Sequence, residues 1–216
     1  MIEARATVQS QVDNKVNELS TVQAAYFGLA CCERMEVHYA AFANAHGGID
    51  DAFMRHTLDR LWNAFVAGDF TIEDSDRLLA QIDAIAPHPD RNRSVLVLPA
   101  VYALDGMGHL LRFLQDEDRE WLQGICELPI SIITYFVNIF AFPTDGRYIP
   151  PWLSNQAHSW LNGAPAIYVE LDCQLKILET IASIHDWSDK EVGKLRTLAT
   201  VALYNPLGGE LGRTEG

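Results

Sequence analysis

The stretch LACCERMEVHYAAF, residues 29–42, decides how this chain folds. It lies within a helical pattern that begins after Ser20, a good N-cap residue, and continues to about Ala45. A Gly-Gly pair at 47–48 then ends the pattern. Apolar residues occupy most of the circumference of this helix, so we expect it to be central and buried.

Two charged residues, Glu33 and Arg34, lie inside this apolar pattern. Neither has an oppositely charged residue three or four positions away, and consecutive helical residues do not face each other. Because buried charges need partners, we expect both side chains to reach other helices. The sequence leaves two interpretations open, a structural ion-pair network and a charged pocket for a small ligand. Both would use the same residues: Glu33, Arg34, Arg55, Asp59, Glu170 and Gln174.

The four cysteines of the chain show no CxxC pairing. Cys31 and Cys32 point about 100° apart on a helix, so they can neither pair with each other nor chelate one metal together. With no export signal at the N-terminus, we expect reduced, buried thiols and a cytoplasmic protein. A catalytic role for Cys31 is not supported, since His38, the nearest histidine, lies about two helical turns away.

Helical patterns also dominate the rest of the chain. One helix follows Asp50 and stops at Gly68, and Thr71 with Asp74 resembles a capping box for a short acidic helix. The segment opened by Ser94 is ambiguous, because VLVL could form a strand, but Pro99 and the pattern after it favour a helix that starts or kinks there.

Three further helices are predicted toward the C-terminus. The first runs from Asp116 to about Phe142 with a bend at Pro129, and the loop 143–156 follows it. The second begins near Pro165, and the third begins at a Ser188–Glu191 capping box and ends near Leu203. The sequence thus predicts an all-α protein, a single compact bundle of about seven helices over residues 1–206. Residues 207–216 are predicted to be a mobile tail.

The net charge of −13 and the isoelectric point near 4.8 restrict the partners. Direct nucleic-acid binding needs clustered basic residues, and an acidic protein is repelled by anionic membrane surfaces. The longest apolar run, LPISIITYFVNIFAF at 128–142, is interrupted by polar residues and is shorter than a membrane span. We therefore expect neither a nucleic-acid partner nor a membrane partner.

Two acidic clusters are candidates for binding a basic protein partner. We expect each cluster at a helix start, where carboxylates complement the helix dipole, and together they could form a negative face. The candidate partner-binding residues are Asp69, Glu73, Asp74 and Asp76 in the first cluster and Asp116, Glu117, Asp118 and Glu120 in the second.

Motifs of catalysis and cofactor binding are missing from the sequence. It contains no Gly-rich phosphate loop, nucleophile elbow or HExxH motif, so no catalytic residue and no cofactor are predicted. His56 with Asp59 and Asp105 with His109 each share a helix face, but no Glu-x-x-His motif of a di-metal bundle is present. We expect no metal site, and an ion pair or hydrogen bond between Asp105 and His109.

Four motifs together resemble the bacterial family catalogued as domain of unknown function 416. They are ACCERM followed by YAAF and Gly-Gly, then LDRLW, then LPAVYALDGM, and finally APAIYVELDCQLKIL, which contains Pro165, Glu170, Leu171 and Gln174. They occur in the family's order over roughly residues 20–180. The resemblance implies a compact helical bundle of bacterial origin and no established activity.

Three kinds of function agree with these observations. The first, which we favour, is a non-enzymatic interaction protein, in its most concrete form an immunity or inhibitor protein that masks a basic bacterial effector or toxin. The second is a small-ligand-binding protein or enzyme with a charged pocket around Glu33 and Arg34. The third is a signalling adaptor, which could dimerise through an exposed apolar helix face.

Overall fold

The structure of the chain, a computed structural model, describes residues 2–47, 50, 52–141 and 166–201. The regular elements of these residues are all α-helices, which confirms the predicted fold class. In chain order they are α1 (Ile2–Glu18), α2 (Thr21–His46), α3 (Phe53–Val66), α4 (Ser75–Ile85), α5 (Val97–Asp116), α6 (Arg119–Ala141), α7 (Ala166–Ser183) and α8 (Asp189–Val201).

Helix α2 is the centre of the bundle. It packs against α3, α5, α6, α7 and α8, and α5 in turn packs against α4 and α6. From Ala24 to Ala43 nearly every residue of α2 is buried. An apolar helix with this many neighbours removes most of its circumference from water, as its composition predicted.

Both ends of α2 are fixed by local chemistry. The Ser20 hydroxyl accepts a hydrogen bond from the Gln23 backbone N–H, and the Gln23 side chain accepts one from the Ser20 N–H, which completes a capping box. At the other end Gly47 adopts a left-handed φ of 60° and donates its N–H to the Ala43 carbonyl. Gly68, with φ of 75°, likewise follows the end of α3.

Two predicted helix starts are wrong. Thr71 and Asp74 do not form a capping box, because the Asp74 carboxylate binds Arg60 and Arg77 and makes no side-chain cap bond to α4. Asp116 ends α5 rather than starting α6. Glu117 follows it with a left-handed φ of 58°, which breaks the helix, and α6 begins at Arg119.

Proline positions explain two features of the helices. Pro99 lies in the first turn of α5, where its missing N–H removes no helical hydrogen bond, so the helix starts just before it, at Val97. Pro129 lies inside α6 and removes a hydrogen bond from the preceding turn. No helix among the described residues has the length and apolar character that crossing a bilayer requires.

Helix α1 is an addition to the predicted set. It packs on α7 and α6, and it buries Val12 and Val16. Several predictions, the loop 143–156, the start at Pro165 and the tail 207–216, fall outside the described residues.

An aromatic cluster ties the segment before α8 to α2. The ring of Tyr26 stacks on that of Trp187 at a centroid distance of 3.9 Å, and the Tyr26 hydroxyl donates to the Phe65 carbonyl. Burial raises the pKa of Tyr26 to about 12, so the phenol stays a protonated donor. The α7–α8 connection is thereby held against the same helix that carries Glu33 and Arg34.

Loss of the capping box should destabilise the bundle measurably. We expect Ser20→Ala to lower the free energy of unfolding by about 1 kcal/mol, because the Gln23 N–H loses its acceptor. The measurement is chemical denaturation followed by circular dichroism. Ser10→Ala, at an exposed position inside α1, is the matched control and should be neutral or slightly stabilising. Equal losses in both variants would show that the cap contributes nothing.

Candidate functional site

Glu33 and Arg34 are both buried, with only 3% and 1% of their surfaces exposed. Because they are consecutive residues of α2, their side chains point about 100° apart, so one neighbouring helix cannot supply the ion-pair partners of both. The structure gives them separate partners on different helices, and the six residues of the predicted network fall into two groups. The arrangement is therefore two ion-pair systems on one helix.

The Arg34 system is closed to solvent. Its guanidinium binds the Glu170 carboxylate on α7 with two hydrogen bonds, Nε to Oε1 at 3.2 Å and Nη2 to Oε2. Burial acts to lower the pKa of Arg34, but the charge and hydrogen bonding of Glu170 outweigh this and raise the pKa. Arg34 is thus charged, and its enclosed pair with Glu170 is structural.

Gln174 connects this pair to the proline turn of α6. Its amide nitrogen donates to Glu170 Oε1 at 3.2 Å and to the Cys126 carbonyl at 3.0 Å. Cys126 lies three residues before Pro129, whose missing N–H is the one that the neighbouring Ile125 carbonyl would accept in a regular helix. Gln174 therefore joins α7 to the turn of α6 that precedes the proline.

The Glu33 system begins in the core and reaches the surface. Arg55 of α3 donates from Nη1 and Nη2 to the two carboxylate oxygens of Glu33 at 2.7 and 2.8 Å. The Trp62 indole N–H donates to Glu33 Oε2 at 2.9 Å. Arg55 also donates from Nε to Asp59 Oδ1 at 3.1 Å. Buried Glu33 is thus satisfied by two residues of α3.

Arg196 of α8 completes the system, and the sequence analysis missed it. Its Nη2 binds Asp59 Oδ1, its Nε lies 3.7 Å from Glu33 Oε1, and its guanidinium lies 5.9 Å from the centre of the Trp62 ring. Arg196 has no acid three or four residues away, which is the pattern that marked Arg34. Applied to every arginine, that criterion would have found it.

An open cleft of about 610 Å³ lies over this system. We call it the charged cleft, and its walls come from α2, α3 and α8. Its lining residues are Glu33, Arg55, Asp59, Gly193, Arg196, Thr197 and Thr200. The sequence left open a structural ion-pair network and a charged pocket. The Arg34 system lies in closed core and fits the first, whereas Glu33 lies at the base of a cleft and fits the second.

The cysteines are free and buried. Burial raises the pKa of the Cys31 and Cys32 thiols far above the physiological range, so neither is an activated nucleophile. His38 is also buried, and burial together with the charge of Arg34 lowers its pKa to about 3. It is neutral in the native protein, and its Nδ1 has no hydrogen-bond partner among the described residues.

The predicted interaction of Asp105 with His109 is not formed as a hydrogen bond. His109 Nδ1 is buried without a partner among the described residues, and burial raises the pKa of Asp105 and lowers that of His109. Asp59 binds arginines, whereas His56 is exposed. The described part of the chain holds no group of three or more side chains with the makeup of a metal site.

The structure brings the two acidic clusters to the same part of the bundle. The Gln115 amide, next to the second cluster, donates to Ser75 at 2.7 Å and to Asp76 at 2.8 Å. A groove of about 340 Å³, which we call the acidic groove, is lined by Glu117 of the second cluster and by Phe70 and Thr71 from the segment that carries the first. It is lined by Thr21, Val22, Ala25, Phe70, Thr71, Phe113, Leu114 and Glu117.

Helix capping explains the acidic clusters only in part. Asp118 accepts the Glu120 N–H at the start of α6, and Asp116 accepts the Asp118 N–H and the Trp121 indole N–H. These hydrogen bonds hold the pKa of Asp116 below its usual range. Asp116 and Glu117, however, lie at the C-terminal end of α5, where the helix dipole disfavours negative charge. The prediction that both clusters mark helix starts is therefore wrong for these two residues.

Comparison with known proteins identifies the family. The sequence model described as "Protein of unknown function (DUF416)" matches residues 11–204, so the chain belongs to the DUF416 family. A crystal structure of a DUF416 family protein from Shewanella baltica OS155 is similar in fold, with a TM-score of 0.68 and 21% sequence identity. The match covers 86% of this chain and 91% of that one. No curated protein matches the chain.

The Arg34–Glu170 pair gives a clear stability prediction. Arg34→Met should lower the free energy of unfolding by about 3–5 kcal/mol, because it leaves the Glu170 charge buried and unpaired. Adding Glu170→Gln in the double variant should recover much of this loss. Denaturation of the wild type, both single variants and the double variant completes a double-mutant cycle, which gives the coupling free energy of the pair. Additive effects would show that the pair is not coupled.

His38 should make stability depend on pH. Between pH 6.5 and 3 the unfolded chain binds a proton at this histidine that the native protein does not, so stability falls as the pH decreases. The expected slope is up to about 1.4 kcal/mol per pH unit. We expect His38→Gln to flatten the stability profile across this range, as measured by urea denaturation at several pH values. His56→Gln, at an exposed position, is the control and should leave the profile unchanged.

Proposed function

We propose that this DUF416 protein is a non-enzymatic interaction protein that binds a basic segment of a partner protein at the acidic groove. In its most specific form it is an immunity or inhibitor protein that masks a basic bacterial effector or toxin. The observations that carry the proposal are an apolar groove lined by Glu117 and by the segment of the first cluster, and the hydrogen bond from Gln115 to Asp76 that brings the two acidic clusters close together.

The charges around the groove are mostly uncompensated. Of the eight acidic residues only Asp74 forms an ion pair within the described part of the chain. Glu73 and Glu120 are exposed and make no side-chain hydrogen bond there. Apart from Asp74, which binds Arg60 and Arg77, these carboxylates form no ion pair in the described part of the chain, so an approaching basic partner would relieve their mutual repulsion.

The floor of the groove adds apolar contact. Val22 and Ala25 from α2, Phe70 before α4, and Phe113 and Leu114 from α5 line it. A segment that carries lysine or arginine together with apolar side chains would match both features, since its charges would reach the rims while its apolar groups entered the groove. Long-range attraction would speed the encounter and would weaken as salt screens it.

We also place the protein in the cytoplasm of a bacterium. Its four cysteines are free and buried, which agrees with a reducing compartment. An immunity role would be exerted there against an effector produced or imported into the same cell.

Charge reversal tests the proposal. Glu73→Lys, Glu117→Lys and Glu120→Lys change three exposed carboxylates while leaving the bonded aspartates intact. The control combines Glu127→Lys, Glu179→Lys and Asp186→Lys, which are exposed and make the same change in net charge outside the groove. Tagged wild type purified from its native cells at about 0.1 M salt should retain a stoichiometric basic protein, because the screening length is still about 10 Å there.

The expected pattern separates the groove from bulk charge. The groove variant should lose the partner while the control retains it, and raised salt should release it from both wild type and control. Equal retention by all three proteins, or no partner at all, would contradict the proposal. For the immunity form, expression of the partner should arrest growth, and the wild type but not the groove variant should relieve the arrest.

A further inference from the structure

We propose that the charged cleft is a second binding site, for a small zwitterion that carries a free ammonium and a free carboxylate, as an amino acid or short peptide does. This site is separate from the acidic groove: it lies over α3 and α8, and the described linings of the two have no residue in common. The inference does not depend on the proposed function.

The hydrogen-bonding capacity left in the cleft is of two opposite kinds. Among the described residues, Arg196 uses Nη2 for Asp59, and its Nε and Nη1 donate no hydrogen bond. Asp59 receives both arginines on Oδ1, and its Oδ2 accepts no hydrogen bond from these residues. About a third of the Arg196 side chain and 42% of that of Asp59 remain exposed to the cleft side of the protein. A ligand carboxylate could accept from the Arg196 donors, and a ligand ammonium could donate to Asp59 Oδ2.

The charge balance of the cleft favours a ligand with no net charge. Among the described residues that line it, four are charged, Glu33, Arg55, Asp59 and Arg196, and their formal charges sum to zero. A ligand with net charge would leave one unit uncompensated in a partly desolvated site, whereas a zwitterion adds one charge of each sign next to its complement. The described lining of the acidic groove, by contrast, holds one charged residue, Glu117.

The base and wall of the cleft are preorganised. Glu33 is a positioning residue, since Arg55 and Trp62 occupy its oxygens and hold the guanidinium of Arg55 in place. Thr197 and Thr200 donate their hydroxyls to carbonyls of α8, so toward a ligand they act as acceptors. The volume of about 610 Å³ lies in the range of small-molecule sites and exceeds what one small amino acid fills.

Thermal shift with defined probes tests the inference. The probes are the twenty amino acids and a panel of dipeptides, each beside its N-acetyl and its C-terminal amide derivative. At saturation we expect at least one zwitterion to raise the melting temperature by several degrees, and both of its blocked derivatives to do so far less. If no zwitterion shifts the wild type, or a blocked derivative stabilises equally, the inference is wrong.

Variants locate the binding. By titration calorimetry, Arg196→Gln and Asp59→Asn should each weaken the zwitterion at least about tenfold, since each removes a charge-assisted contact. Arg77→Gln, which also removes an arginine from an exposed ion pair, lies outside the cleft and should bind normally. Wild-type affinity in Arg196→Gln and Asp59→Asn would place the ligand elsewhere and overturn the inference.

Gly193 offers a test that leaves the charges untouched. It lines the cleft, and a Cβ added there meets no atom within 4 Å. Gly193→Ala should therefore fold and bind, whereas Gly193→Phe should fold and lose the ligand by filling the cleft. The triple lysine variant of the acidic groove should bind the zwitterion normally, so failure of one proposal is distinguishable from failure of the other.

Discussion

The fold depends on one constraint, the burial of two adjacent opposite charges on the central helix. Glu33 and Arg34 cannot neutralise each other, because consecutive helical side chains diverge. Each must find its partner on another helix, or an uncompensated charge would remain in the core. The partners are Arg55 on α3 and Glu170 on α7. These pairs fix the rotation and the position of α3 and α7 relative to α2. Apolar contacts alone define that geometry less closely.

The two pairs differ in what surrounds them, and this difference separates structure from function. The Arg34 pair is enclosed by α2, α6 and α7, and Gln174 uses its amide to join it to the carbonyl of Cys126. The Glu33 pair extends outward through Asp59 and Arg196, and three charged residues of the system, Arg55, Asp59 and Arg196, are partly exposed. A closed pair can hold helices together but can bind nothing, whereas an open one keeps donors and acceptors that face solvent.

Much of this arrangement could be predicted from the sequence. The central position of α2 follows from its apolar circumference, and the need for partners on other helices follows from the spacing around Glu33 and Arg34. Ser20 was predicted as the N-cap at the right helix start, and the structure adds Gln23, which completes a capping box. These features are local or follow from a charge that must be compensated, so the sequence carries them directly.

What could not be predicted depends on contacts between distant segments. Asp74 was predicted to cap a helix, but its carboxylate binds Arg60 on another helix. That contact forms only when the two helices pack in the folded protein. Helix α1 shows apolar residues at Val8, Val12 and Val16, a four-residue spacing too sparse to stand out beside its polar composition. The charged cleft could not be predicted for the same reason, because it too depends on contacts between distant segments. Arg196 reaches Asp59 across 137 positions of chain, and only the packing of α8 on α2 makes a shared site of residues that are separately unremarkable.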